Sequence, residues 1–308
     1  MRKAVLSIAV AALLFSTMEI ALKLFSLGFN PMQLNFIRFS LGALLLLPIS
    51  WRRLRKAGFA LGDLGFFALS GFICVVLSMT LYQLAILRTP ASIVAVLFSC
   101  NTVFVVPLAV LVLGERIRAR TVVALVSSLV GIAFILNPFR MGADSPGIAL
   151  TLLSALSFAL YGVLGSTRSP RFGSAGVTCL SFAAGSIELL ALMFLSRLGP
   201  IPGLARSAGL GLFADIPILS GIGPASLPGL LYVGICVTGL GYTAYFMAIE
   251  ASSASTASIV FFIKPALAPI LALIILGESL TFAMAAGIAF IVAGSAIALL
   301  PGRRGADT

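Results

Sequence analysis

Ten stretches of about 20 residues, apolar almost without interruption, follow one another along the chain. A helix rises ~1.5 Å per residue, so each stretch reaches across the ~30 Å hydrocarbon core of a bilayer. They cover roughly 4–25, 31–50, 64–87, 91–113, 121–137, 147–165, 174–196, 227–249, 254–276 and 281–300. Leucine, alanine and glycine fill them without the alternation of a barrel strand. In lipid the backbone N–H and C=O groups of such stretches must then be satisfied within helices. Only 9% of the residues are charged, against about 25% in soluble domains. The expected fold class is an all-α membrane protein with ten transmembrane helices.

The net charge of +11 would suggest nucleic acid as a partner in a soluble protein, but no soluble domain is present to carry such binding. The cations instead sort by side. With the N-terminus inside, the inner segments hold Arg2, Lys3, Arg52, Arg53, Arg55, Lys56, Arg116, Arg118, Arg120, Arg168, Arg171, Arg303 and Arg304. The outer ones hold only Arg88, Arg140, Arg197 and Arg206. This positive-inside bias predicts a multi-pass protein of a bacterial-type inner (plasma) membrane with both termini cytoplasmic. The first apolar run is too long for a cleavable signal peptide.

No cofactor or metal is expected. The chain has no histidine, the commonest proton shuttle and metal ligand. Cys74, Cys100, Cys179 and Cys236 all fall inside apolar spans without ligand spacing, as small core residues do. No Gly-x-x-x-x-Gly-Lys-Ser/Thr loop is present to couple the chain to ATP.

The ninth span breaks the rule of apolarity. Lys264 lies near its middle, with Pro265 and Pro269 directly after. A cation at a helix centre costs about 2.5–3.5 kcal/mol on insertion scales and is usually found in a bundle interior or a watery cavity. Each proline frees a carbonyl that must find a partner elsewhere. This helix is expected to line a cavity, with the rest of the chain as its walls.

Sliding the chain by 163 residues lays Tyr82–Glu115 over Tyr245–Glu278 without a gap, with identity at 11 of 34 positions, including a closing Leu-Gly-Glu in each. A weaker match sets Ala12-Leu13-Leu14-Phe15 against Ala155-Leu156-Ser157-Phe158. Five spans per half is an odd number, so the halves would enter the membrane in opposite directions. Inverted repeats of this kind occur in secondary transporters, with the binding site near the midplane between them.

Two five-span halves, each with Tyr-x-x-Ala-Ile before a short turn and a closing Leu-Gly-Glu, resemble the EamA domains of the drug/metabolite transporter superfamily. The resemblance covers about 4–300, with repeats at 4–138 and 146–300 and a cytoplasmic tail at 301–308. It implies ten helices, no ATPase, and a central cavity lined by spans one, three, four, six, eight and nine. It also implies transport of small metabolites, most often export of amino acids and related compounds. The match departs at Lys264, whose repeat mate is Asn101, and at Pro265 and Pro269, which face Thr102 and Val106. The two halves of the cavity are therefore chemically unequal.

The candidate substrate-binding residues follow. Lys264 is a fixed cation for a substrate carboxylate, or a proton-exchanging group, or a structural tie to a nearby carboxylate. Tyr82, Tyr242 and Tyr245 supply aromatic walls with a hydrogen-bonding tip. Ser78 shares a helical face with Tyr82, Gly241 with Tyr245, and Ser157 with Tyr161. Ser99 and Asn101 are expected as the polar wall opposite Lys264. Glu19 is the carboxylate best placed for proton coupling, although Lys23 lies one turn away where the two can pair. Arg38 and Glu188 are expected to pair structurally, with each other or with Glu19. Glu115 and Glu278 are expected to cap the helix that follows each, or to pair with nearby arginines. Small residues, Gly131 beside Ser127-Ser128 and Gly287 with Gly294, offer faces for close helix packing.

The sequence thus points to a secondary transporter exporting amino acids or related small metabolites by alternating access. Its partners would be a small-molecule substrate and the lipid bilayer. A flippase for a lipid-linked metabolite is the alternative within the same fold. A membrane enzyme is the remote one, because the 9 acidic residues are scattered and histidine is missing.

Overall fold

The computed structural model describes residues 2–26, 28–114, 119–136, 145–251 and 260–299. Glu115, Arg116, Arg118, Arg140, Asp144, Ser258 and the tail at 301–308 lie outside them. The protein is an all-α membrane protein. Among the described residues, seven helical runs are long and apolar enough to cross a bilayer, with shorter apolar helices at Ile263–Leu276 and Phe282–Gly294.

The first span is two helices, α1 (Arg2–Ser16) and α2 (Met18–Ser26). Thr17 separates them: its hydroxyl donates to the Leu14 carbonyl at 2.9 Å and shares a 2.7 Å hydrogen bond with Tyr232. A hydroxyl bonded back to the preceding turn competes with the helical ladder and bends it. α3 (Pro31–Ala57) starts where the Asn30 side chain accepts from Met32 N at 2.9 Å and Pro31 takes the first position, both of which favour a helix start. The third span joins α4 (Leu61–Gly71), a π-helical segment (Phe72–Ser78) and α5 (Met79–Arg88). The fourth is broken at Cys100 into α6 (Ala91–Ser99) and α7 (Asn101–Leu113), and α8 (Ala119–Leu136) follows.

In the second half, α9 (Ser145–Phe172) and α10 (Ser174–Leu195) are continuous. The 197–226 connection contains α11 (Ile201–Ser207) and a 3-10 turn at Gly211–Phe213. α12 (Leu227–Leu231) leads into a second π-helical segment (Tyr232–Leu240) and then α13 (Gly241–Ala251). The described part ends with α14 (Val260–Leu276) and α15 (Phe282–Leu299).

The Leu-Gly-Glu motif has a local explanation. Gly114 and Gly277 both adopt φ +67°, the left-handed region, where glycine ends a helix without a Cβ penalty.

Between the spans, close backbone approach and hydroxyl pairs hold the bundle. A Cβ on Gly131 of α8 would lie 2.6 Å from the Gly287 carbonyl of α15, and one on Gly71 would lie 2.5 Å from Gly185 N of α10. Lipid tails are as apolar as leucine, so such van der Waals contact and interhelical hydrogen bonding must drive association. Ser78 of the third span and Ser154 of α9 donate to each other's carbonyls at 2.8 and 2.7 Å, and Ser70 meets Ser181 at 2.8 Å. Phe39 and Phe182 join α3 to α10 edge-to-face at 4.7 Å.

The two ends of the bundle differ. At the basic end, buried Asp63 accepts from Arg171 at 3.0 Å and sits 3.5 Å from Arg168. Arg171 also donates to the carbonyls of Ala57 and Gly58. These contacts tie the α3–α4 turn to the end of α9. At the opposite end the 197–226 connection folds over the start of α3. Asn30 donates to Leu212 O at 2.7 Å, and Gln33 donates to Ser220 O at 2.8 Å.

Candidate functional site

A cavity of ≈ 330 Å³ lies between α1, α9, α13 and α14. Phe15, Met18, Phe98, Phe158, Tyr242, Tyr245, Phe246 and Phe261 make its wall predominantly aromatic, and Lys264 is the one charged lining residue among those described. Ser166, Ser169 and Ser174 line the part next to the α9–α10 turn, so the cavity reaches toward the basic end.

Lys264 is buried and points at Glu19 of α2. Its ammonium donates to Glu19 Oε1 at 2.7 Å, and the same oxygen accepts from the Tyr82 hydroxyl at 2.5 Å. Glu19 Oε2 is buried and has no hydrogen-bond partner among the described residues. The Lys264 ammonium also sits 5.4 Å from the centroid of the Phe98 ring, within cation–π range. One oxygen of Glu19 thus holds two donors while the other is unengaged, and an apolar chamber adjoins the trio. Such a pair can accept an incoming carboxylate at Lys264, or pass a proton through Glu19, without assembling new groups.

The Glu19–Lys23 pair expected from i,i+4 spacing does not form. Lys23 instead donates to the Thr89 carbonyl at 2.9 Å and lies 3.6 Å from Glu278. Helical spacing permits a pair but does not outweigh a stronger partner on another span. Arg38 pairs with neither Glu188 nor Glu19. It is fully enclosed, with the sulfurs of Met18 and Met79 each 3.7 Å from Nη2 and its guanidinium 4.5 Å from the Phe39 ring centroid.

Of the other expected site residues, Tyr161, Tyr242 and Tyr245 line the cavity. Tyr161 donates to Thr178 at 3.2 Å. Tyr82 lies behind the wall, its ring 4.7 Å from that of Phe98. Ser78 is absorbed in the Ser154 contact described above. Ser99 donates back to the Ala95 carbonyl at 2.7 Å and Ser157 to the Leu153 carbonyl at 2.8 Å, so both satisfy their own helices. Asn101 starts α7 below the Cys100 break. Ser99, Asn101 and Ser157 are not among the lining residues, and the wall facing Lys264 is Phe98 rather than a polar pair. Gly241 does shape the pocket: a Cβ there would lie 2.8 Å from the Phe15 ring.

The phenylalanines are what the sequence reading missed as site residues. Phe15 and Phe158 occupy matching places in the two halves, as do Phe98 and Phe261, and all four line the cavity. The repeat alignment was the available signal. Ring contacts join them: Phe98 to Phe158 at 5.3 Å, and Phe15 to Phe261 stacked at 6.4 Å.

Away from the cavity, Glu278 caps α6 rather than the helix that follows it. Oε1 accepts from Ala91 N at 2.7 Å, and Oε2 accepts from Ser92 N at 2.9 Å and Ser92 Oγ at 2.6 Å. Burial pushes the Glu278 carboxyl up, but the Ser92 and Ala91 donors and the Lys23 ammonium outweigh it and hold it below the usual carboxylate range.

The chain matches the model of the EamA-like transporter family at residues 2–137 and again at 145–300. An uncharacterized transporter of Clostridium kluyveri is 37% identical over 307 residues, covering 96% of this chain and 93% of the relative. Another from Archaeoglobus fulgidus is 27% identical, with 97% of each chain covered. A solved crystal structure of 18% identity shares the fold with a TM-score of 0.63 over 98% of both chains.

Proposed function

Because the chain belongs to the EamA-like transporter family, we propose that this transporter exports amino acids or related small metabolites across a bacterial-type inner membrane. The reading has two five-helix halves, inserted in opposite directions, rocking about one central site in alternating access. The basic end faces the cytoplasm, following the distribution of loop cations, so the cavity described above is the cytoplasm-facing form of the site.

One observation carries the reading. A lysine that is 4% exposed meets a single buried carboxylate at the wall of an otherwise aromatic chamber. A buried ion pair is a poor way to gain stability, whereas an intramembrane ionisable residue beside a cavity marks a substrate or ion pathway. Lys264 receives the substrate carboxylate; the aromatic walls hold its apolar part. Glu19, released from Lys264 as substrate takes its place, is the group that gains or loses a proton. The Lys23–Glu278–Ser92 contacts and the folded 197–226 connection close the opposite end.

Uptake of labelled amino acids into proteoliposomes, with and without an imposed proton gradient, tests this. Saturable uptake lost in folded Lys264→Ala protein is the expected result. Equal uptake by that variant overturns the assignment of Lys264.

A further inference from the structure

The charges of the described spans do not all pair off. Lys264 and Glu19 neutralise each other at 2.7 Å. Arg38 is 2% exposed, and no carboxylate among the described residues lies within ion-pairing distance of it. Among the described residues, its Nε and Nη1 have no hydrogen-bond partner, and Nη2 has only the two methionine sulfurs. Asp63, Asp215 and Glu278 are committed elsewhere, to Arg168 and Arg171, to Arg206, and to Lys23, and Glu250 is exposed at the end of α13. Glu188 makes no ion pair among the described residues, and one of its oxygens is itself buried and unpartnered.

Arg38 is also next to the site. One of its two sulfur contacts, Met18, precedes Glu19 in the chain and lines the cavity. The other, Met79, lies one turn before Tyr82, which donates to Glu19. Asn35, one turn away on α3, and Gln83, one turn beyond Met79 on α5, are fully buried, and among the described residues both amide atoms of each lack a partner. Sulfur contacts and a ring face do little for a guanidinium, because they supply no compensating charge.

We propose that the substrate is an organic anion carrying one net negative charge, selected because Arg38 leaves the Lys264–Glu19 site with one uncompensated positive charge. Monocarboxylates and acidic amino acids meet this condition. A zwitterion, net neutral, leaves the buried charge standing. Arg38 acts here as a positioning residue: it sets the potential of the cavity from behind Met18, without touching the ligand. The inference rests on the reading that Lys264 receives a carboxylate in this cavity, and it adds the net charge of what that carboxylate belongs to.

The test compares pairs that differ by one charge in proteoliposomes: 3-phenylpropanoate against phenylalanine, and glutamate against glutamine. The wild type is expected to prefer the anion of each pair by at least about tenfold in kcat/KM. Arg38→Lys keeps that preference. Arg38→Met, which keeps bulk and removes charge, brings the ratio to near one or reverses it. A wild-type preference for the neutral member overturns the proposal without any variant. So does an unchanged ratio in folded Arg38→Met. If Lys264→Ala carries both members as well as the wild type does, the central-site reading fails and the inference with it. That outcome is distinct from a charge-blind carrier that still needs Lys264.

Discussion

Glu278 and Ser92, on different halves of the chain, are joined twice: one carboxylate oxygen accepts both the backbone N–H and the hydroxyl of Ser92, at 2.9 and 2.6 Å. The residue after the glycine turn that ends α14 thereby serves as the cap of α6. Helix starts leave unpaired N–H groups and a partial positive charge, and a carboxylate from the other half answers both.

Replacing Glu278 by alanine is expected to cost about 1 kcal/mol, the usual worth of an N-cap. Its folded pKa is depressed, so its contribution is present above the unfolded value of about 4.3 and is lost as pH falls through the lower folded value. Wild type and Glu278→Ala should therefore differ by a constant amount above about pH 5 and converge in more acid solution. Thermal unfolding in detergent across pH checks this; a gap that widens on acidification would contradict it.

The Glu19–Lys264 pair predicts a non-additive cycle. Removing one member strands a buried charge, at a cost of about 3–5 kcal/mol. Glu19→Gln with Lys264→Met should recover most of that stability while remaining unable to transport. Additive losses in the double variant would show that the two charges do not compensate each other.

The order of spans was legible in the sequence because length and apolarity alone decide it, and the Leu-Gly-Glu turns were legible because only glycine takes φ +67° easily. The breaks at Thr17 and Cys100 were not legible: neither has a proline or glycine, and the Thr17 hydroxyl meets Tyr232 of another span. Charge partners were read poorly for the same reason. Lys23 lies one turn from Glu19, yet folding brings Glu278 to it and Lys264 to Glu19. The tyrosines of the wall were readable as amphipathic residues, whereas phenylalanine is ordinary in a membrane span and its place in the site emerges only in three dimensions.

Asp63 ties the two halves at the basic end. Asp63→Ala should leave Arg168 and Arg171 without their carboxylate and lower stability by about 2 kcal/mol, discounted from a buried pair because both arginines are more than a third exposed. Limited proteolysis of the 57–61 turn should accelerate in parallel. Unchanged cleavage would place the clamp elsewhere.

Gly131→Val should fail where the same change at Gly62 is tolerated. A Cβ at Gly131 meets the Gly287 carbonyl at 2.6 Å, but one at Gly62 meets nothing within 4 Å. Folded yield by size-exclusion profile separates the two, and equal yields would rule out tight α8–α15 packing.

Single cysteines at Arg52 and Ser207, both exposed, report orientation. A membrane-impermeant maleimide applied to intact cells should label Ser207→Cys and spare Arg52→Cys. The reverse pattern would invert the side assigned to the basic end.

The π-helical segments Phe72–Ser78 and Tyr232–Leu240 set the phase of what comes after them. Each wider turn holds one more residue than an α-turn, and one residue of α-helix is worth about 100° of rotation. Tyr82 and Tyr245 come a turn or so later, so their azimuth is fixed by a residue count and not by hydropathy. Inserting one alanine between Thr80 and Leu81 of α5 would leave the span as greasy as before and swing the Tyr82 phenol by about 100°, away from Glu19. The membrane would not register the edit; the site would.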